Sequence, residues 1–123
     1  MIIGIGTDIV AVHRFESWLK KDGFLERFFH PDELSYARSC GKGQCESIAA
    51  RFAAKEAFGK ALGIGLVGIQ LKDIAVMRRQ GEKPTLALFG SAQQKAEQNH
   101  VRSIHLSLSH EKDYALAMVV LEG

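Results

Sequence analysis

Gln44–Leu62 reads QCESIAARFAAKEAFGKAL, and Gly63 follows it. Alanine and phenylalanine dominate the stretch, no proline interrupts it, and the glycine supplies a stop, so a helix is expected over 44–62. Projected at about 100° per residue, its apolar positions cover most of the circumference, which implies burial on several sides. The charges that such a helix carries are therefore informative. Glu56 follows Phe52 by four residues and Ile48 by eight, so the three stack on one side. A carboxylate there is expected to be buried and needs a cation or strong hydrogen bonds. Lys60, one turn further on, offers an ion pair.

Upstream, Met1–Gly6 is an isoleucine-rich apolar run and reads as a buried strand. Thr7 or Asp8 then caps the next element, a helix from about Ala11 to Lys21 with Val12, Phe15, Trp18 and Leu19 on one face. Gly23 breaks it. Pro31, Asp32 and Glu33 open another helix with acid in its first turn, ended by Gly41 and Gly43. Downstream, Leu71–Arg79 reads as a strand with Ile74, Val76 and Arg78 toward one face. Gly81–Pro84 (GEKP) is a turn, Thr85–Phe89 the returning strand and Ser91–His100 a polar helix. Ile104–Ser109 and Tyr114–Leu121 alternate across a polar turn as a hairpin. The expected class is α+β: an antiparallel sheet with hairpins packed on a long central helix.

The chain has 123 residues, 46% of them hydrophobic and 24% charged, which fits one globular domain over 1–123. The net charge of +2 does not argue for nucleic acid. No apolar run is long enough to span a bilayer, and no basic stretch or cleavage site marks the N-terminus as a signal peptide. Cys40 and Cys45 are the only cysteines and read as free thiols of a reducing, cytoplasmic compartment.

Several patterns carry less than they suggest. Gly63, Gly65 and Gly68 match a dinucleotide fingerprint, but a helix precedes them where the fingerprint needs a strand. Ser109, His110 and Asp113 suggest a hydrolase triad, yet adjacent strand residues point to opposite faces. His100, His105 and His110 match no zinc spacing, and His105 and His110 differ in strand parity. Asp8 is more informative, standing where an apolar strand is expected to end. Taken alone it is a helix cap; taken with Glu56 it offers two carboxylates to a hard cation such as Mg²⁺, with Lys60 toward a phosphate. His13, Arg14, Lys20, Lys21 and Arg27 form either a solvated face or a docking surface for an acidic protein.

Three segments together resemble the holo-acyl-carrier-protein synthases, a family of phosphopantetheinyl transferases. They are Gly4–Val10 (GIGTDIV) with Arg14, Arg51–Ala57 (RFAAKEA) with Lys60–Gly63 (KALG), and Ser107–His110 (SLSH) with Asp113–Ala115 (DYA). Gly59 departs from the pattern, standing where the family often has Ser. The resemblance implies a 4′-phosphopantetheinyl transferase-like fold. It implies transfer of the 4′-phosphopantetheine of coenzyme A to a serine of apo acyl carrier protein, in support of fatty-acid biosynthesis. The products are holo carrier protein and adenosine 3′,5′-bisphosphate.

The same resemblance implies Mg²⁺ on Asp8 and Glu56, with Glu56 and Lys60 catalytic. It gives Arg51, Lys60, Gly63, Lys83, Pro84, Ser109 and His110 to coenzyme A, and Arg14, Lys20, Lys21 and Arg27 to the carrier. It also implies a homotrimer with active sites between neighbours, and neither a nucleic-acid nor a membrane partner. The residues by themselves also fit a non-catalytic oligomeric module that binds a nucleotide or an acidic protein, with Glu56–Lys60 as a buried ion pair and Asp8 as a cap. A small Mg²⁺-dependent phosphohydrolase is a third reading.

Overall fold

A computed structural model gives the structure, which describes residues 1–79 and 81–123. Strand β1 (Ile2–Ala11) leads into a 3₁₀ turn and the short helix α1 (Glu16–Leu19). Helix α2 (Pro31–Ser39) and the central helix α3 (Gln44–Leu62) follow. Then come β2 (Ile74–Met77), β3 (Thr85–Leu88), α4 (Gly90–Gln98), β4 (Ser103–His110) and β5 (Tyr114–Glu122). The long strands form an antiparallel sheet in the order β1-β5-β4, and β2 and β3 pair separately. The α+β class and the C-terminal hairpin expected from the sequence are present.

Helix α3 lies on the inner face of the three-stranded sheet. Its small side chains allow that: Ala49, Ala53, Ala54 and Ala57 are fully buried. Strand β1 answers with glycines. A Cβ on Gly6 would overlap the Ala57 carbonyl oxygen, and one on Gly4 would overlap that of Ala61. Helix and strand therefore meet backbone to backbone, a contact only glycine permits. Ala115, Ala117, Val119 and Leu121 of β5 complete the inner layer.

Two expectations for the N-terminus are overturned. Strand β1 does not end at Gly6. It continues to Ala11, in register with β5 as Asp8↔Ala117 and Ala11↔Tyr114. Asp8 is thus a mid-strand residue on the side of Gly6 and Val10, not a cap; no helical turn begins before Val12. Nor is the isoleucine run buried on both faces in the single chain. Ile5 and Ile9 are 59% and 61% exposed on the outer side of the sheet, beside the exposed Tyr114, Leu116 and Met118 of β5. The helix expected over 11–21 is two short pieces, although Val12 and Phe15 are buried and Trp18 and Leu19 pack on the core as the pattern required.

Candidate active site

Three residues singled out from the sequence meet at the β1 edge of the sheet. The Lys60 ammonium donates to Asp8 Oδ1 and to the Thr7 carbonyl, both at 3.0 Å. Glu56, one turn back on α3, is half-buried on the same side. Burial raises its pKa above the usual carboxylate value and the Asp8 charge raises it further, while Lys60 and Arg14 pull it down. The Glu56–Lys60 ion pair, one of the two readings the sequence left open, is not among the ion pairs of the described residues; the lysine bonds to Asp8 instead. The Arg14 guanidinium lies 5.1 Å from the Phe52 ring centroid and 5.5 Å from that of Phe15, carried on the aromatic cluster that also holds Trp18, Phe24 and Phe28.

A second group gathers at the β4 edge. Arg51 and His110 line one cleft of 360 Å³ with Tyr36, Glu46, Ser47 and Arg78. Lys83 and Pro84 line an adjoining hollow with Arg78 and Ser107. Arg51 is 3% exposed, and burial holds its guanidinium below its ordinary pKa, though still charged at neutral pH. It donates to Ser47 Oγ at 2.7 Å and faces the Tyr36 ring at 4.5 Å. Ser109 is exposed and does not line either cavity. His105 faces the other way from His110 and meets Glu122 Oε1 at 2.8 Å.

The two groups stay apart within one chain. Two strand spacings, about 10 Å, separate β1 from β4. Along α3, Arg51 and Lys60 are nine residues apart, about 13.5 Å, and on roughly opposite sides of the helix.

Sequence reasoning did not find Tyr36, Ser47 or the role of Glu33 beneath them, and it placed Arg78 on a strand face without assigning it a partner. Gly63 closes α3 with φ +80°, its amide bonded to the Lys60 carbonyl at 3.0 Å. Gly59 has a local reason. The loop after α3 folds back so that the Gly65 amide donates to the Gly59 carbonyl at 3.1 Å, and a Cβ on Gly59 would overlap the Gly65 carbonyl oxygen. Any side chain at position 59 would therefore require this loop to shift.

The profile of the 4′-phosphopantetheinyl transferase superfamily matches residues 4–119, spanning both groups. The chain belongs to this superfamily. Holo-[acyl-carrier-protein] synthase of Treponema denticola is 55% identical over 123 residues, covering all of both chains. The crystal structure of the Neisseria meningitidis synthase superposes with a TM-score of 0.88 at 38% identity over the whole of both chains. That of the Helicobacter pylori synthase, in complex with coenzyme A, does so with 0.81 at 35% identity, over 96% of this chain and 99% of that one. For this transferase the resemblance drawn from the three sequence segments therefore holds along the full length. Among the described residues no helix is long and apolar enough to cross a membrane. Cys40 and Cys45 are free thiols; the Cys45 thiol donates to the Val12 carbonyl at 3.2 Å, and burial raises its pKa.

Proposed function

We propose that the chain is a Mg²⁺-dependent holo-acyl-carrier-protein synthase that works as a homotrimer. It transfers the 4′-phosphopantetheine of coenzyme A to a serine of apo acyl carrier protein and releases adenosine 3′,5′-bisphosphate. The observation that carries the reading is the convergence of Asp8, Glu56 and Lys60, from segments about fifty residues apart, at one edge of the sheet.

The residues present fit the metal. Asp8 and Glu56 offer two hard oxygen donors on one side of the site, and the Asp8 charge adds to the rise that burial gives the Glu56 pKa, a repulsion that a cation relieves. Among the described residues no third acid, histidine or cysteine joins them, so water and phosphate oxygens complete the set, as is usual for Mg²⁺. When bound, the ion supplies charge neutralisation at the diphosphate.

The protein's own groups do the rest. Lys60, fixed by Asp8 and the Thr7 carbonyl, presents a positive charge to the oxygens of the breaking phosphate bond. A serine hydroxyl entering beside Glu56 finds in that carboxylate an acceptor for its proton. The serine oxygen bonds to the phosphorus bearing pantetheine, and the other phosphate leaves with the nucleotide. Arg51, His110, Lys83 and Pro84 receive the nucleotide end. Mass spectrometry of apo carrier protein incubated with coenzyme A, Mg²⁺ and this chain tests the reading. A gain of the phosphopantetheine mass is expected; an unchanged carrier would overturn it and favour the binding module. Two supports of that module are already gone, since Asp8 is not a cap and Lys60 does not pair with Glu56.

The separation of the two groups and the bare sheet face support the homotrimer. A coenzyme held at the β4 edge of one copy reaches the acid pair of a neighbour. The exposed Ile5, Ile9, Leu116 and Met118 are the kind of apolar surface that copies cover in each other. Sedimentation is expected to give three times the chain mass, and a monomer at micromolar concentration would remove the assembly.

Arg14, Lys20, Lys21 and Arg27 supply the carrier's docking face. All four are exposed, and none is in an ion pair among the described residues. Free cations of this kind steer an acidic partner. Arg14→Glu is expected to weaken carrier binding about tenfold, which corresponds to about 1.4 kcal/mol. Coenzyme A affinity should move far less in the same titrations; equal losses would remove the docking face.

A further inference from the structure

Gly4 meets Ala61 and Gly6 meets Ala57, so a step forward along β1 is a step back along α3. A Cβ on Gly6 would overlap the Ala57 carbonyl oxygen and stand 2.6 Å from the Ala61 amide nitrogen. Both obstacles are helix backbone, which no change of rotamer moves aside. A side chain at position 6 therefore has to part the strand from the helix.

The contact adjoins the acid pair. Asp8 stands two residues past Gly6 on the same face of β1, about 7 Å along the strand. Glu56 directly precedes Ala57. Side chains on a helix lean toward its N-terminus, which here is toward Asp8. Lys60 shows the lean: from one turn past Glu56 it reaches Asp8 Oδ1 and the Thr7 carbonyl. The two carboxylates are thus carried on two elements whose spacing is fixed at Gly6, one short step from both. Glycine also weakens a strand interior, having no side chain to pack and the most chain freedom to lose. Alanine would suit the core better at position 6 if nothing depended on how closely β1 and α3 approach.

We propose that Gly6 is a positioning residue of the metal site: the backbone contact it permits sets the span between the Asp8 and Glu56 carboxylates, and with it the size of divalent cation the pair prefers. The inference rests on the metal reading above. Mg²⁺ takes oxygen ligands at about 2.0–2.1 Å in a strict octahedron and Ca²⁺ at about 2.3–2.6 Å in looser geometry, so the size of the site decides between them. Two carboxylates on separate elements suit the smaller ion only while those elements stay close.

Binding of Mn²⁺ to the chain, with coenzyme A present and no carrier, is read by electron paramagnetic resonance; displacement by Mg²⁺ and by Ca²⁺ gives both affinities without turnover. Gly6→Ala is expected to lower Mg²⁺ affinity about tenfold, the lower end for disturbing the support of a metal ligand, and Ca²⁺ affinity less, so that the Mg²⁺/Ca²⁺ preference falls at least about threefold. Adding Asp8→Glu, whose carboxylate reaches one methylene further, should return the preference toward that of the wild type. Val119→Ala, at a fully buried residue paired with Gly6 across the sheet, loosens the core without parting β1 from α3 and should keep the preference within about twofold. If Gly6→Ala does not fold, Glu56→Asp decides instead: it shortens one carboxylate against an unchanged backbone contact, and the preference must move toward Ca²⁺. An unmoved preference in the deciding variant, no recovery with Asp8→Glu, or an equal shift in Val119→Ala would overturn the positioning role while leaving the metal site in place. A wild-type chain that binds no Mn²⁺ under these conditions would sink the metal reading, and the role of Gly6 with it.

Discussion

Glu56→Gln leaves a folded chain that no longer modifies apo carrier protein. Transfer, read as mass gained by the carrier in the presence of coenzyme A and Mg²⁺, is expected to fall at least about 10²–10³-fold, the range for removing one preorganised electrostatic group from a reaction centre. Asp8→Asn should do the same. The fold should survive because neither carboxylate holds it up. Glu56 makes the case most clearly, since burial and the Asp8 charge raise its pKa.

A carboxyl whose pKa is higher in the folded chain than in the unfolded one is bound by its proton more tightly when folded. Its contribution to stability is therefore full at pH below the unfolded value and is lost as pH rises through the raised folded value. At neutral pH its charge works against folding. Removing that charge while keeping the shape should leave the melting temperature unchanged or slightly higher. Asp8 differs in accepting from Lys60, but the lysine end of that pair is half exposed, so the pair contributes little. Full turnover by either variant would remove the metal assignment. A collapse of the melting temperature together with activity would show the acids to be structural.

The central helix was legible in the sequence to the residue. Its composition, its apolar circumference and Gly63 are all local signals, and α3 runs over the expected Gln44–Leu62. The same burial argument flagged its charges. It directed attention to Glu56 and Lys60 and passed over Lys55, the one that is fully buried. Nothing near Lys55 in the chain marks it, because its partner Glu33 is 22 residues away and reads locally as a first-turn acid of α2.

Strand β1 shows the opposite failure. Thr7 and Asp8 look like the start of a helix, but the backbone there is claimed by pairing with β5, more than a hundred residues further along. The site was legible in part for the same reason. Asp8 and Glu56 were found through types and spacings, and Arg51 only through the family resemblance. Tyr36 and Arg78, which only tertiary structure brings to the cleft, carry no local signal of a shared purpose.

Lys55→Met is expected to be the most destabilising single change considered for this chain. Both side chains of the Lys55–Glu33 pair are fully buried. The ammonium uses its three protons on Glu33 Oε1 and the carbonyls of Leu71 and Ile74. The carboxylate in turn accepts from the amides of His30 and Val76, which closes the capping box of α2 and ties it to β2. Burial pushes the pKa of Lys55 below its usual value while Glu33 pulls it back up, so the ammonium exists there because its partner does. Methionine fills a similar volume, so a cavity is not the issue. The variant instead leaves a buried carboxylate without its cation, and two carbonyls lose a donor. Breaking such a pair from one side costs about 3–5 kcal/mol, which for a domain of this size lowers Tm by roughly 10–20 °C. Glu33→Met should cost a comparable amount. The double variant should recover much of the loss, because an apolar pair of similar volume often replaces a buried ion pair without net cost. Urea unfolding of the four proteins gives the coupling directly. Strict additivity of the single losses would show that the pair does not act as a unit, and a Lys55→Met chain as stable as the wild type would show that the buried charge contributes nothing to the fold.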